Sequence, residues 1–167
     1  GDLCEPIQDA PGTWDSESIA VFITIQDRIA VGDGRGDGVL RVYSGDGGTG
    51  SGKINEITRS GTMWEKLDLG GDGLSSISGL AIGKAGSAPS NRIYASGYNL
   101  AEYIYSGSEW SENDFGPYTQ WTNDLIVGEA RNDGQDRVYV AGWGRVYELT
   151  YTGTWSSQEI AVDDQMI

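Results

Sequence analysis

The chain repeats one pattern of apolar and polar positions three times. The last copy starts with the apolar run 125–127 and Gly128, and a polar loop leads from there to residues 137–139, which read Arg-Val-Tyr. Residues 147–151 then alternate between apolar and polar side chains before the next turn. Glycines and tryptophans at matching places recur every 45 to 51 residues, namely Gly32, Gly83, Gly128, Trp64, Trp110 and Trp155. Such spacing is typical of stacked or radially arranged supersecondary units.

Each copy predicts four short antiparallel strands and no helix. In the last copy we expect strands at 124–128, 136–141, 145–151 and 154–161, separated by turns rich in Gly, Asn, Asp and Ser. The apolar first strand is typical of a strand covered on both faces. Four strands per repeat of this length predict an all-β fold of β-propeller blades. The three repeats are expected at 27–68, 78–115 and 123–162.

The beginning of the chain predicts one additional outer strand. Residues 12–21 read GTWDSESIAV and nearly copy residues 153–162, which read GTWSSQEIAV. We therefore expect a propeller arc over 12–167, with 12–21 as the outer strand of a preceding blade and 1–11 as an N-terminal tail. Three blades are fewer than the four to eight that close a ring. The arc therefore predicts either self-assembly, most simply two chains forming six blades, or membership of a larger propeller.

Composition and charge narrow the classes of function. The 25 acidic and 11 basic residues give a net charge of −14, which argues against a nucleic-acid partner. The negative charge is compatible with a solvated surface, with binding of a divalent cation or with a basic partner. The absence of His removes the commonest general base, and with it the Ser–His and Cys–His nucleophile systems. No apolar run has the length needed to cross a bilayer, so no membrane insertion is expected.

The N-terminus gives a weaker indication of where the protein acts. The chain begins with Gly rather than Met, which predicts a processed form or a fragment, and we expect an extracellular or cell-surface location. The single thiol, Cys4, lies outside the three repeats. Both an inert residue and an intermolecular disulfide are open readings of it.

Matching positions of the repeats carry an arginine, a glutamate and aromatic residues. Two strands of one sheet would bring the arginine and the glutamate together, where guanidinium donors and carboxylate acceptors can hold vicinal hydroxyls. An aromatic face can pack against the C–H face of a sugar ring. The candidate carbohydrate-binding residues are Arg92, Glu102, Tyr105 and Trp110, then Arg137, Glu148, Tyr151 and Trp155, and, as a poorer copy, Arg41, Glu56 and Trp64.

These stretches resemble the fucose-binding lectins, whose chains of two to six repeats form six-bladed propellers. The resemblance is carried by R-[VI]-Y at 92–94 and 137–139, and by E-x-x-Y-x-G-x-x-W at 102–110, which is one residue shorter at 148–155. It implies sugar sites between neighbouring blades. One blade would supply the arginine and the glutamate, and the next blade the aromatic residues.

Other positions depart from the lectin pattern. Arg59 stands where the other repeats have an aromatic residue after the glutamate, and Gly83 and Gly128 stand where such lectins often have a further tryptophan. The same residues also admit a structural reading. In that reading the Arg–Glu pair ties adjacent strands and the tryptophan covers the core between blades.

The loop after the first strand has a second recurring pattern. Residues 33–38 and 129–134 share the form [DE]-x-R-x-D-G, which resembles the calcium loop of FG-GAP propeller repeats. Calcium takes six to eight oxygen ligands. Two ligand positions of each loop hold arginines instead, namely Arg35, Arg41, Arg131 and Arg137. We therefore expect an internal ion pair in place of a metal and no cofactor, with Asp33 and Asp37 as a weak calcium candidate.

The sequence favours binding over catalysis. We expect a non-catalytic, lectin-like module that binds a glycan at several weak equivalent sites, with affinity gained from multivalency. The alternative is a structural or adhesive propeller that mediates protein–protein assembly without a small ligand. A glycosidase would need an acid and a base in different environments, whereas each repeat carries one recurrent carboxylate beside an arginine that would lower its pKa.

Overall fold

The computed structural model shows a protein built from β-strands. It describes residues 2–10, 13–21, 26–48, 52–71, 74–115 and 121–162, and within these ranges the side chains from Arg28 to Ala161. Within these ranges there is no helix with the length and apolar character needed to cross a membrane. The strands are β1 (Asp2–Ala10), β2 (Thr13–Val21), β3 (Gln26–Gly32), β4 (Arg41–Asp46), β5 (Ile54–Ser60), β6 (Met63–Gly70), β7 (Gly79–Gly83), β8 (Arg92–Ser96), β9 (Leu100–Tyr105), β10 (Trp110–Asp114), β11 (Asp124–Gly128), β12 (Arg137–Gly142), β13 (Arg145–Tyr151) and β14 (Trp155–Val162).

Twelve of these strands form three four-stranded antiparallel sheets in chain order. The first sheet contains β3 to β6, the second β7 to β10 and the third β11 to β14, and consecutive strands are neighbours in each. This confirms the all-β class and the three four-stranded repeats. In the third sheet every strand boundary lies within one residue of its predicted place. The closure of the sheets into a propeller ring stays a prediction.

The N-terminal strands form a separate pair. β1 and β2 are antiparallel and make a two-stranded sheet of their own. β2 covers the segment that was expected to be an outer strand, while β1 lies in the segment that was expected to be a tail. β2 also contacts β6, the last strand of the first sheet.

The three sheets pack in series through two apolar clusters. Because successive side chains of a strand point to opposite faces, Ile93 of β8 belongs to the first cluster and its neighbour Tyr94 to the second. The first cluster contains Tyr43, Ile54, Leu74, Ile77, Leu80, Ile93, Ala95, Ala101 and Tyr103, and the second contains Ala85, Tyr94, Leu100, Phe115, Leu125, Val138, Val140 and Leu149. Each fully buried Leu or Ile contributes roughly 1.5–3 kcal/mol to this packing.

The glycine that ends the first strand of a sheet allows the next sheet to approach closely. A Cβ atom added at Gly32 would lie 3.1 Å from side-chain atoms of Ile82, and one at Gly83 would lie 2.6 Å from a methyl of Val127. At Gly128 the same atom would meet no described atom within 4 Å. The recurring glycines therefore allow the close contact between sheets. On the third sheet no described residue fills the corresponding space beside Gly128.

We predict that Gly83→Ala destabilises the protein and that Gly128→Ala does not. The new methyl at Gly83 collides with Val127, and such overpacking costs about 1–3 kcal/mol. The matched change at Gly128 enters open space and should stay within about 0.5 kcal/mol of the parent. Urea unfolding measures both free energies. Equal losses in the two variants would contradict the packing described above.

Candidate functional site

A buried glutamate lies at the centre of each four-stranded sheet. It is on the third strand, directly opposite a tyrosine of the second strand, and its exposed fraction does not exceed 6%. A buried carboxylate costs several kcal/mol unless it is paired and hydrogen-bonded. Each sheet must therefore bring a cation to this position. The three tyrosine–glutamate pairs are Tyr43 with Glu56, Tyr94 with Glu102, and Tyr139 with Glu148.

In the second sheet the cation comes from strand β8. Arg92, which is 3% exposed, donates a hydrogen bond from Nη1 to the carboxylate of Glu102. Its guanidinium carbon also lies 4.5 Å from the ring centroid of Tyr151, on the third sheet. Burial opposes the charge on Arg92, but hydrogen bonds to Glu102 and Tyr151 outweigh it and the arginine pKa is raised. One guanidinium thus connects the glutamate of its own sheet to an aromatic ring of the next.

In the first sheet a loop arginine takes the same place. Arg35 follows β3, and its Nε donates to Glu56 at 3.0 Å. The guanidinium carbon lies 4.5 Å from the ring centroid of Tyr105, which is on the second sheet. The hydroxyl of Tyr43 donates to the same glutamate at 3.1 Å. The hydrogen bond to Glu56 raises the pKa of Arg35. The two contacts between sheets are therefore chemically alike, although their arginines occupy different sequence positions.

The third sheet repeats this arrangement, but no ring of a following sheet is found among the described residues. The Nε of Arg131 donates to Glu148 at 2.9 Å, and the hydroxyl of Tyr139 donates to Glu148 at 3.2 Å. Arg131 also donates to Gln158 at 3.0 Å. Its side chain is 47% exposed, against 22% for Arg35, whose guanidinium is covered by the next sheet. This cluster lies at the open end of the third sheet.

The strand arginines of the first and third sheets hold their own loops. Arg41 donates two hydrogen bonds to Asp37, at 2.8 and 2.7 Å, and Arg137 donates two to Asp133, at 2.9 and 2.6 Å. Their Nε atoms lie 3.9 and 3.6 Å from the glutamate of the same sheet. Both arginines thus neutralise a loop aspartate first and approach the glutamate from the side. The predicted Arg–Glu pair is directly hydrogen-bonded only in the second sheet among the described contacts.

The aromatic candidates of the second and third repeats lie between sheets. Trp110 meets Tyr43 edge-on with ring centroids 6.4 Å apart, and Trp155 meets Tyr94 in the same way at 5.8 Å. Each tryptophan also contacts the candidate tyrosine of its own repeat, Tyr105 at 5.3 Å or Tyr151 at 5.2 Å. The aromatic residues therefore do come from the sheet that follows the arginine and glutamate.

The aromatic candidate of the first repeat has a different neighbour. The guanidinium carbon of Arg59 lies 5.6 Å from the ring centroid of Trp64. Arg59 is the residue that stands in place of the aromatic residue of the other repeats. The first repeat therefore brings together Arg35, Arg41 and Glu56, and the described neighbour of its tryptophan is a cation.

The loops that resemble calcium sites are closed by their own hydrogen bonds. The carboxylate of Asp33 accepts hydrogen bonds from the backbone N–H groups of Asp37 at 3.0 Å and Gly38 at 2.7 Å. Hydrogen bonding by Arg41 holds the pKa of Asp37 well below its usual range, and Arg137 lowers the pKa of Asp133 to about 2. In the described part of the chain no group of three His, Cys, Asp or Glu residues is placed to hold a metal ion. Arginines occupy the space between these carboxylates.

Sequence reasoning missed the two loop arginines as partners of the glutamates. The signal was present, because Arg35 and Arg131 recur at the third position of the [DE]-x-R-x-D-G loops. The second repeat begins this loop with Lys84 and lacks that arginine. There Arg92 pairs with the glutamate instead. The presence or absence of the loop arginine thus predicts whether a loop arginine or the strand arginine neutralises the buried glutamate of a sheet.

Comparisons with known proteins add no family to this description. No protein-family model matches the chain, and no protein of curated function matches it either. The fold and the site define the class as an all-β repeat protein, made of four-stranded antiparallel sheets that each bury one glutamate.

We predict that Arg92→Ala destabilises the protein far more than Arg131→Ala. Loss of Arg92 leaves Glu102 buried without its cation, which costs about 3–5 kcal/mol. Arg131 is half-exposed, and Glu148 keeps both its bond from Tyr139 and the guanidinium of Arg137, whose Nε is 3.6 Å away, so that variant should lose about 1 kcal/mol or less. Urea unfolding compares the two.

A double variant separates the loss of pairing from a general failure to fold. Arg92→Met combined with Glu102→Leu removes both charges and should recover most of the stability lost in Arg92→Ala. Equal losses of stability in Arg92→Ala and Arg131→Ala would contradict the prediction. So would a double variant that recovers no stability, because the second sheet would then not depend on the buried pair of Arg92 and Glu102.

We predict that Asp133 contributes to stability against acid. Its folded pKa, about 2, lies below its value of about 3.9 in an unfolded chain. The contribution is therefore present above pH 4 and is lost as the pH falls towards 2. Asp133→Asn should lower stability at neutral pH and flatten the acid slope. Urea midpoints between pH 2 and 7 measure this pH dependence of stability. If the stability of Asp133→Asn fell with acid as steeply as that of the parent, the prediction would be wrong.

Proposed function

We propose that this chain is a non-catalytic, structural segment of a β-propeller, which assembles with other polypeptides and needs no small-molecule ligand. The groups that would grip a sugar are already bonded inside the protein. Glu56 accepts hydrogen bonds from Arg35 and Tyr43, and both terminal nitrogens of Arg41 donate to Asp37. A sugar hydroxyl would have to replace charge-assisted bonds in a buried position, which are about twice as strong as neutral ones.

The observation that carries this proposal is the open face of the third sheet. In the first two sheets the glycine that ends the first strand is covered by the next sheet, whereas Gly128 is open. Beside it Ile126 is 60% exposed. A hollow of about 190 Å³ lies on this sheet, and its lining includes Ile126, Tyr139 and Val146 together with Asp124.

This face has the chemistry of a contact between sheets rather than of a ligand pocket. Exposed apolar surface of this kind marks sites of protein association. The repeated contact in this chain shows what fits it, because Ile82 and Val127 fill the same position on the preceding sheets. The partner is therefore another sheet of this repeat type, most simply on a second copy of the chain, and propeller closure would follow from such contacts.

We predict that the protein self-associates through this face. Its mass in solution should exceed the chain mass of 17.9 kDa, and Ile126→Asp should return it to a monomer because a charge cannot be buried against an apolar partner. Ile160→Asp is the matched control, since Ile160 is exposed on the outer strand β14. Light scattering after size exclusion measures the mass. A monomeric parent, or an Ile126→Asp variant that still associates, would contradict the proposal.

A second candidate function, carbohydrate binding, has one observation in its favour. A depression of about 330 Å³ lies over the charged cluster of the first sheet, and its lining includes Arg35, Glu56, Thr58, Glu65 and Lys66. Thr58, Glu65 and Lys66 carry donors and acceptors beside a space that can take one monosaccharide. A glycan array tests this function. Binding that is lost in Lys66→Ala but kept in Lys53→Ala would establish it, and an empty array would leave assembly as the function.

A further inference from the structure

The two N-terminal strands pair like the two outer strands of a complete sheet. The register of β1 and β2 shifts between Leu3 and Cys4, and Glu5 follows opposite Glu17. The register of β13 and β14 in the third sheet also shifts just before the buried glutamate. The register of β5 and β6 in the first sheet shifts at the corresponding position. The matching positions are Leu3, Val146 and Ile54, then Cys4, Tyr147 and Asn55, then Glu5, Glu148 and Glu56.

This correspondence assigns β1 to the third position of a sheet and β2 to the fourth. In every complete sheet the third strand pairs on both sides, as β13 does with β12 and β14. Among the described strands β1 pairs with β2 alone. Its other edge is therefore unpaired among the described residues, and the backbone N–H and C=O groups there are a template for an incoming strand.

The first sheet shows the same gap from the other side. Val31 of β3 is 63% exposed, whereas its counterparts Ile82 and Val127 each pack against the glycine that ends the first strand of the preceding sheet. The contact of β2 with β6 places the N-terminal hairpin beside this sheet. A second strand that paired with β1 would carry a first strand on its other side, and the terminal glycine of that first strand would lie over Val31. The strand edge and the exposed face thus point to the same absent element.

We propose that β1 and β2 are the outer half of a fourth sheet, which binds a two-stranded inner hairpin of this repeat type that residues 1–167 do not provide. The partner would carry an apolar strand that ends in glycine, a [DE]-x-R-x-D-G loop and an Arg-[VI]-Tyr strand. That second strand would pair with β1 so that its tyrosine lies opposite Glu5, as Tyr139 lies opposite Glu148. Backbone pairing would give affinity and side-chain matching would give specificity. The inference rests on the proposed assembly function and names the partner for the N-terminal end.

A peptide of residues 122–144, the inner hairpin of the third sheet, is the probe. It carries a fluorophore, and binding to the full chain is measured by anisotropy. The host chain carries Ile126→Asp, so that association through the third sheet does not compete. We expect one peptide per chain, and we expect a peptide of the same composition in scrambled order not to bind.

Charge reversal locates the binding edge. Glu5→Lys in the host should weaken binding about tenfold or more, because it sets a cation against the arginines of the peptide. The control Glu17→Lys makes the same change on β2, away from the open edge, and should bind like the parent host. A peptide with Arg131→Glu should regain affinity for the Glu5→Lys host.

Each outcome decides between the proposals. Absence of binding, binding of the scrambled peptide, or equal effects of Glu5→Lys and Glu17→Lys would overturn the fourth-sheet inference. None of these results would touch self-association through Ile126, which is measured by mass in the parent chain. Conversely, a monomeric parent that still binds the peptide would overturn the proposed self-association and leave the N-terminal hairpin as the assembly site.

Discussion

The structure depends on one constraint, which is that every sheet buries a carboxylate and must supply a cation to it. Glu56, Glu102 and Glu148 are almost completely enclosed. Without a guanidinium each would carry the cost of an unpaired buried charge, several kcal/mol, in a domain whose total stability is of order 5–15 kcal/mol. The position of the arginines, the closure of the loops and the spacing of the sheets all follow from how this charge is met.

The protein supplies the cation in two ways, and in both of them the arginine also contacts the neighbouring sheet. A loop residue, Arg35, or a strand residue, Arg92, lies between the glutamate of its own sheet and a tyrosine ring of the next. Where the loop arginine pairs with the glutamate, the strand arginine is released to hold the loop through an aspartate, as Arg41 does with Asp37. The pairing within a sheet and the packing between sheets are therefore one interaction. The charged cluster therefore has a structural role, and the open ends of the sheets are the proposed functional surfaces.

Much of this fold was predictable because its signals are local. Alternation and turn residues set the strands of the third repeat to within one residue. The recurrence of Arg92 and Glu102 at matching places in other repeats predicted their proximity. The choice of partner does not follow from the strand positions alone, because Arg41 and Arg92 occupy equivalent sequence positions and yet bind an aspartate and a glutamate respectively. The choice depends on whether a loop arginine reaches the glutamate first, which is a matter of tertiary geometry. The strand β1 was also missed, since its proline and polar residues hide the alternation.

The most direct measurement of this account is a double-mutant cycle between Arg35 and Tyr105. These two residues meet across the first and second sheets, and their contact contains both a stacked guanidinium and a hydrogen bond of 3.3 Å. Unfolding free energies of the parent, Arg35→Ala, Tyr105→Leu and the double variant give the coupling. The account predicts a coupling of about 0.5–2 kcal/mol, the range of a partly desolvated cation–π contact. A coupling of zero would show that the cation of one sheet does not hold the next, and the central claim would fail.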